Sequence, residues 1–171
     1  MGLAVNSYAL TSIPNTIIGD EGGFWERARG IAENREVFSI FDQGVYGYPL
    51  MSSMYQGGIL AIFGVTFWSW RFSSVLISVL AVIPTYLLAL EMFNRRIAVL
   101  ASLVMITTPY FMAFARMGYN NSQAMLPVTL SLYLLYLGVK HNSAFYYVVT
   151  GIVAGMGYYT YNAGELGLAV G

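Results

Sequence analysis

Cysteine is absent from the 171 residues, which excludes a disulfide and a thiolate metal site. A single histidine, His141, excludes a histidine cluster, so any metal would need oxygen ligands. Charge is scarce as well. Only 9% of the residues are Asp, Glu, Lys or Arg, against roughly 25% in soluble domains. A soluble fold of this size would lack the charge to cover its surface. The eight basic and eight acidic side chains cancel, and no nucleic-acid partner is implied. What is abundant is apolar: 57% of the residues are hydrophobic and 16% aromatic. The expected fold class is therefore all-α, a polytopic membrane protein.

The placement of the charges divides the chain. Residues Phe72 to Leu90 and Ile97 to Ala115 are each uncharged runs of 19 residues, bracketed by Arg71, Glu91, Arg95, Arg96 and Arg116. A helix needs roughly 20 apolar residues to cross the hydrocarbon core. A third run starts at Met117, but Gly118 to Gln123 is polar and reads as a loop. Its remainder, Ala124 to Val139, reads as a helix with Pro127 near its first turn, where a missing N–H costs least. A fourth run covers Ser143 to about Tyr161. Trp68 and Trp70, Tyr110 and Phe111, Tyr146 and Tyr147, and Tyr158 and Tyr159 sit near the run ends, as interfacial belts do. Four buried helices of a soluble protein would show a polar stripe, and these do not. About four transmembrane helices are expected over 68–171.

The turns Asn94-Arg95-Arg96 and Lys140-His141-Asn142 are short and basic, so both are expected on the cytoplasmic side. The Arg116–Gln123 turn and everything before Trp68 then face the other side. Arg71 and Arg116 lie there against the rule, either for function or as interfacial arginines that snorkel.

Residues 1–18 are apolar but broken by polar residues, and read as the remnant of a first membrane segment or a leader. Residues 19–67 read as an external loop with juxtamembrane helices. Phe24 to Ile31 looks like a short amphipathic surface helix, Gly44 to Pro49 a turn, and Leu50 to Phe63 a helix at the outer interface interrupted by Gln56-Gly57-Gly58. A fifth full span over that stretch is the alternative.

Several of these segments, in this order, carry a resemblance. Asp20-Glu21 is followed by an aromatic residue and Ala28-Arg29. Then come Tyr48-Pro49, Tyr55-Gln56 and Ile62-Phe63-Gly64. Trp70-Arg71-Phe72-Ser73-Ser74 opens a span, Phe93 to Ala101 turns into the next, and Pro109, Arg116 and Gly151 to Tyr161 follow. The pattern resembles the N-terminal part of the C-type membrane glycosyltransferases, in particular protein O-mannosyltransferases and the lipid A aminoarabinose transferase. In that family a first span precedes the acidic pair and more spans follow, so the chain reads as a piece of a larger protein.

The resemblance implies a sugar donor linked to a polyprenyl phosphate, held in membrane lipid, and an acceptor that is a protein, lipid or glycan. The acceptor hydroxyl needs a base, and the leaving phosphate needs cations. Asp20 is then the candidate base and Glu21 its assistant, with Arg71 and Arg116 for the phosphate. A divalent ion, Mg or Mn, would be held by Asp20; no other cofactor is implied. Where several relatives place a second acid, this chain has Gly118-Tyr119-Asn120-Asn121, and Asn ligates through its carbonyl but cannot act as a base. Asn120, Asn121 and Tyr161 join the candidate substrate-binding set. Tyr161-Asn162 stands where the aminoarabinose type has a Lys, which weakens that route to phosphate. The implied location is the plasma membrane of a prokaryote, with the active site outside. Read from the residues alone, Asp20-Glu21 is equally a solvated helix start with acids in its first turn. Two other functions stay open: a non-catalytic scaffold that keeps the fold, and a transporter subunit. Uncharged spans speak against the transporter.

Overall fold

A computed structural model describes residues 2–12, 17, 19–35, 39 and 42–160, and among these every extended element is helical. In chain order they are α1 (Gly2–Ser7), α2 (Glu21–Ala32), α3 (Met51–Phe63), α4 (Phe67–Met92), α5 (Arg95–Thr107), α6 (Pro109–Arg116), α7 (Asn121–His141) and α8 (Ala144–Tyr158). A 3₁₀ turn at Val45–Gly47, closed by an antiparallel bridge between Gln43 and Pro49, leads into α3.

Local chemistry explains the element ends. Thr66 and Ser69 form a reciprocal capping box at the start of α4, each side chain accepting the other's backbone N–H at 3.2 Å. Asn94 caps α5 by accepting from the N–H groups of Arg96 and Ile97 at 3.0 and 3.1 Å. Asn142 ends α7 in the left-handed conformation, φ 46° and ψ 48°, which Asn tolerates better than most residues. Ser143 then donates its N–H back to the Gly138 carbonyl.

The run 97–115 is not one straight helix. It breaks at Thr108-Pro109 into α5 and α6, bent by 57°. The residue before a proline is pushed out of the helical region, and Thr108 lies at ψ 126° with Pro109 opening α6. The polar turn after Arg116 is also shorter than expected, since α7 begins at Asn121 rather than Ala124. Pro127 therefore sits beyond the first turn, where it cannot bond the Gln123 carbonyl.

Among the described residues two helices, α4 and α7, are long and apolar enough to cross a membrane, and the α5–α6 pair is a third if it acts as one bent span. The fourth run yields α8, a shorter apolar helix of 15 residues. At 1.5 Å per residue α4 measures about 39 Å and α7 about 31 Å, against a hydrocarbon core of about 30 Å. Residues 51–63 form α3 and not a fifth span by length, as the interrupted pattern predicts.

The arrangement of polarity is that of a membrane bundle. On α4 the buried residues include Ser69, Ser73, Ser74 and Ser78, whereas Leu80, Ile83 and Leu90 are exposed. Small residues let helix backbones approach, and lipid tails accept the large ones. α4 packs on α5 and α7, and α7 on α8. Thr129 of α7 donates across to the Ala81 carbonyl of α4 at 3.3 Å. Lys140 at the end of α7 pairs with Glu91 at the end of α4, and the Tyr136 hydroxyl donates to the Glu91 carbonyl at 3.2 Å. The two basic turns therefore lie at the same end, as the charge pattern requires. At the other end α2 packs on α3, with Phe24, Trp25, Ala28, Leu60 and Trp70 as its core. Trp25 stacks on Phe67 with ring centroids 4.5 Å apart and meets Trp70 edge-on at 5.4 Å. Gly57 makes this pairing close, because a Cβ there would sit 2.7 Å from the Ile31 side chain.

Candidate functional site

The end of the molecule formed by α2, α3, the start of α4 and the α6–α7 turn holds most of the residues singled out from the sequence. Its centre is Glu21, the first residue of α2, which is 0% exposed. A carboxylate in that position must be compensated. Glu21 Oε1 accepts the N–H of Gly118 at 3.1 Å and lies 3.5 Å from Nε of Arg71, itself only 3% exposed. One side chain thus ties α2 to α4 and to the α6–α7 turn, across 97 residues of sequence.

The turn is held from a third direction. Gln56 of α3 donates to the Gly118 carbonyl at 2.9 Å. Gly118 is therefore clamped at both its N–H and its carbonyl. Only glycine fits there, since a Cβ would meet the Trp70 ring at 2.2 to 2.5 Å. Asn120 is buried and donates to the Ser52 hydroxyl, and Gln123 donates to the Ser52 carbonyl at 3.3 Å. Each leaves one carboxamide oxygen buried without a hydrogen-bond partner among the described residues, as does Gln56. Tyr55 donates to the Ser73 carbonyl at 2.9 Å, and burial pushes its phenol up to about 12, so it stays a donor at neutral pH.

Asp20 differs from its neighbour. It is exposed at the start of α2, its side chain caps nothing, and among the described residues it takes part in no side-chain hydrogen bond or ion pair. Among the described contacts, the acid–arginine pair formed at this end is Glu21–Arg71, and none joins Asp20 to Arg116. The two arginines also reach the end of α1 and the segment after it. Arg71 donates to the Leu10 carbonyl at 2.8 Å, and Arg116 to the Asn6 and Tyr8 carbonyls at 3.3 and 2.6 Å. Carbonyls at the end of a helix attract cations, so the arginines secure α1 against α4 and α6. Asn121 is half-buried at the first turn of α7, and Tyr161 lies outside the described residues.

Beside this cluster an apolar cleft of about 280 Å³ opens between α3, α4, α7 and α8. Tyr55, Ile77, Gln123, Leu130, Val153 and Met156 are among its walls, and Gln123 joins it to the polar cluster.

Ser52, Gln56, Gly118 and Gln123 were not candidates from the sequence. Gln56 carried a legible signal, a carboxamide inside an otherwise apolar helix. Gly118 and Ser52 carried none, because their roles arise from partners 62 and 68 residues away.

Apolar helices around a small-residue interior, with a buried ion pair at one end, define an integral membrane protein of the helical-bundle class. The family model for dolichyl-phosphate-mannose-protein mannosyltransferase matches residues 48–170, well over half of the chain. The chain belongs to that family of membrane glycosyltransferases. Comparison with curated proteins and with solved structures returned no match. The matched segment contains Arg71, Arg116, Asn120 and Asn121, and begins after Asp20 and Glu21.

Proposed function

We propose that the protein transfers a sugar from a polyprenyl-phosphate donor to a hydroxyl of a protein, lipid or glycan, on the outer face of a prokaryotic plasma membrane. One observation carries the residue assignment: two adjacent carboxylates in opposite environments. Glu21 is buried and engaged by Gly118 and Arg71, while Asp20 is exposed and engaged by nothing described. Adjacent acids so divided suit a positioning role for one and proton transfer for the other.

The proposed step is a displacement at the sugar's anomeric carbon. The acceptor oxygen bonds to that carbon as its proton passes to the Asp20 carboxylate. The bond from carbon to the lipid phosphate oxygen breaks, and the phosphate leaves with the electron pair. Arg71 and Arg116, grouped at the same end, supply positive potential for the leaving phosphate. The apolar cleft beside Gln123 gives the lipid chain a place close to this end. The described residues contain no group of three or more acids or histidines to hold a metal, and Glu21 is already occupied by Arg71.

The test is Asp20→Asn in the full reading frame, assayed in membranes with a polyprenyl-phosphate sugar donor. Loss of a general base lowers the rate by about 10²–10⁴, with folded protein still present. Transfer at the unaltered rate by a folded Asp20→Asn protein would remove Asp20 from the mechanism and leave it as the start of a helix.

A further inference from the structure

At the opposite end of the molecule, two arginines stand without acidic partners among the described residues. Arg95 and Arg96 open α5 and are exposed, and no ion pair among the described residues involves either. The nearest acid along the chain, Glu91, is taken by Lys140. Two of the first N–H groups of α5 are occupied too, since Asn94 accepts from Arg96 and Ile97. The attraction at this end therefore comes mainly from the guanidinium groups.

Directly below them the surface is apolar. Arg95 and Val99, and Arg96 and Leu100, are neighbours one turn apart on the same helix, and these four residues line an open groove of about 560 Å³. The apolar face continues down the helix, with Ile97 41%, Leu100 61% and Val104 63% exposed, while Ala98 is the buried residue of α5. α5 has 13 residues, so it measures about 20 Å. One leaflet of the hydrocarbon core is about 15 Å thick. The α5 surface thus presents two cations above an apolar strip of one leaflet's depth, ending where the chain bends at Thr108-Pro109.

We propose that this face binds an anionic phospholipid, its phosphate between Arg95 and Arg96 and an acyl chain along Val99, Leu100 and Val104. Charge complementarity selects the headgroup, and the depth of the strip selects a lipid tail over a peptide. The site lies at the end away from Asp20 and does not depend on the sugar-transfer reading.

The test uses the full reading frame in bilayers, with Leu100→Cys carrying a fluorophore as the only thiol, quenched by nitroxide-labelled phosphatidylglycerol or phosphatidylcholine. The labelled phosphatidylglycerol should quench preferentially, by about fivefold for each arginine that contributes. Arg95→Gln with Arg96→Gln should abolish the preference while leaving quenching by phosphatidylcholine, which shows that the helix is still in place. Arg95→Lys with Arg96→Lys should keep most of it. Equal quenching by the two lipids in the unaltered protein would overturn the proposal. So would absence of quenching by either, which would mean that protein, not lipid, covers α5.

Discussion

The two ends of the molecule bury opposite things. Around α2, α3 and the α6–α7 turn, the interior holds a carboxylate, a guanidinium, three carboxamides and several serines, wrapped in aromatic rings. In α5 and α8 hardly any large side chain is buried, and Phe145, Val148 and Ile152 face outward together with Leu100 and Val104. Water drives the first region, because a polar group taken out of it must be paired. Lipid surrounds the second, and there a buried leucine gains little over an exposed one. Stability in this protein is therefore concentrated at the polar end, and sensitivity to substitution should be too.

That contrast can be broken most decisively at Glu21. Glu21→Gln leaves Arg71 buried without its acid, and loss of one partner of a buried pair costs about 3–5 kcal/mol. Thermal unfolding in detergent should show a large drop. A change near zero would mean that the pair is not a structural tie. Restoring shape without charge sharpens the point: Glu21→Gln with Arg71→Met should recover part of the loss, because no charge is then buried alone.

Gly118→Ala should cost somewhat less, about 1–3 kcal/mol, since the added carbon overlaps the Trp70 ring and the turn must shift. It should also lower sugar transfer, as Gly118 is the residue Glu21 holds. A Gly118→Ala protein as stable as the original would show that the turn is looser than its two clamping bonds suggest.

At the apolar end, Leu100→Ala should change stability by less than about 0.5 kcal/mol. A loss above 2 kcal/mol in the same assay would place Leu100 in a protein core and erase the contrast. The smallest expected effect is on stability altogether, in a labelling series across both ends. Single cysteines replacing Arg95 and His141 should react from one side of the membrane and a cysteine at Asn34 from the other. Labelling of positions 95 and 141 from opposite sides would contradict the Glu91–Lys140 contact.

Much of this architecture was legible in the order of residues. Charge-free runs of membrane length, short basic turns, a proline at 109 and a polar Gln56 in an apolar stretch are all local signals. A helix ends where its next few residues refuse helical geometry or supply a cap, so helices and turns followed from neighbours in sequence. The straight run from Ile97 to Ala115 is an exception of emphasis: Pro109 was visible, but its 57° consequence depends on how α6 packs against α4.

The difference in environment between Asp20 and Glu21 was not legible. Side by side in sequence, the two acids carry the same chemistry. Only the tertiary fold brings Gly118 and Arg71, 97 and 50 positions away, to one of them and leaves the other exposed. The same holds for Arg71 and Arg116, which the chain alone presents as spare cations and the fold turns toward the carbonyls of Asn6, Tyr8 and Leu10. Composition and spacing determined that this is a membrane-embedded helical chain, because the cost of an unpaired charge or peptide group in lipid acts on every residue independently. Which charges are paired, and which of the two carboxylates stays exposed, was decided by long-range packing, because compensation of a buried charge needs a partner that sequence proximity does not supply.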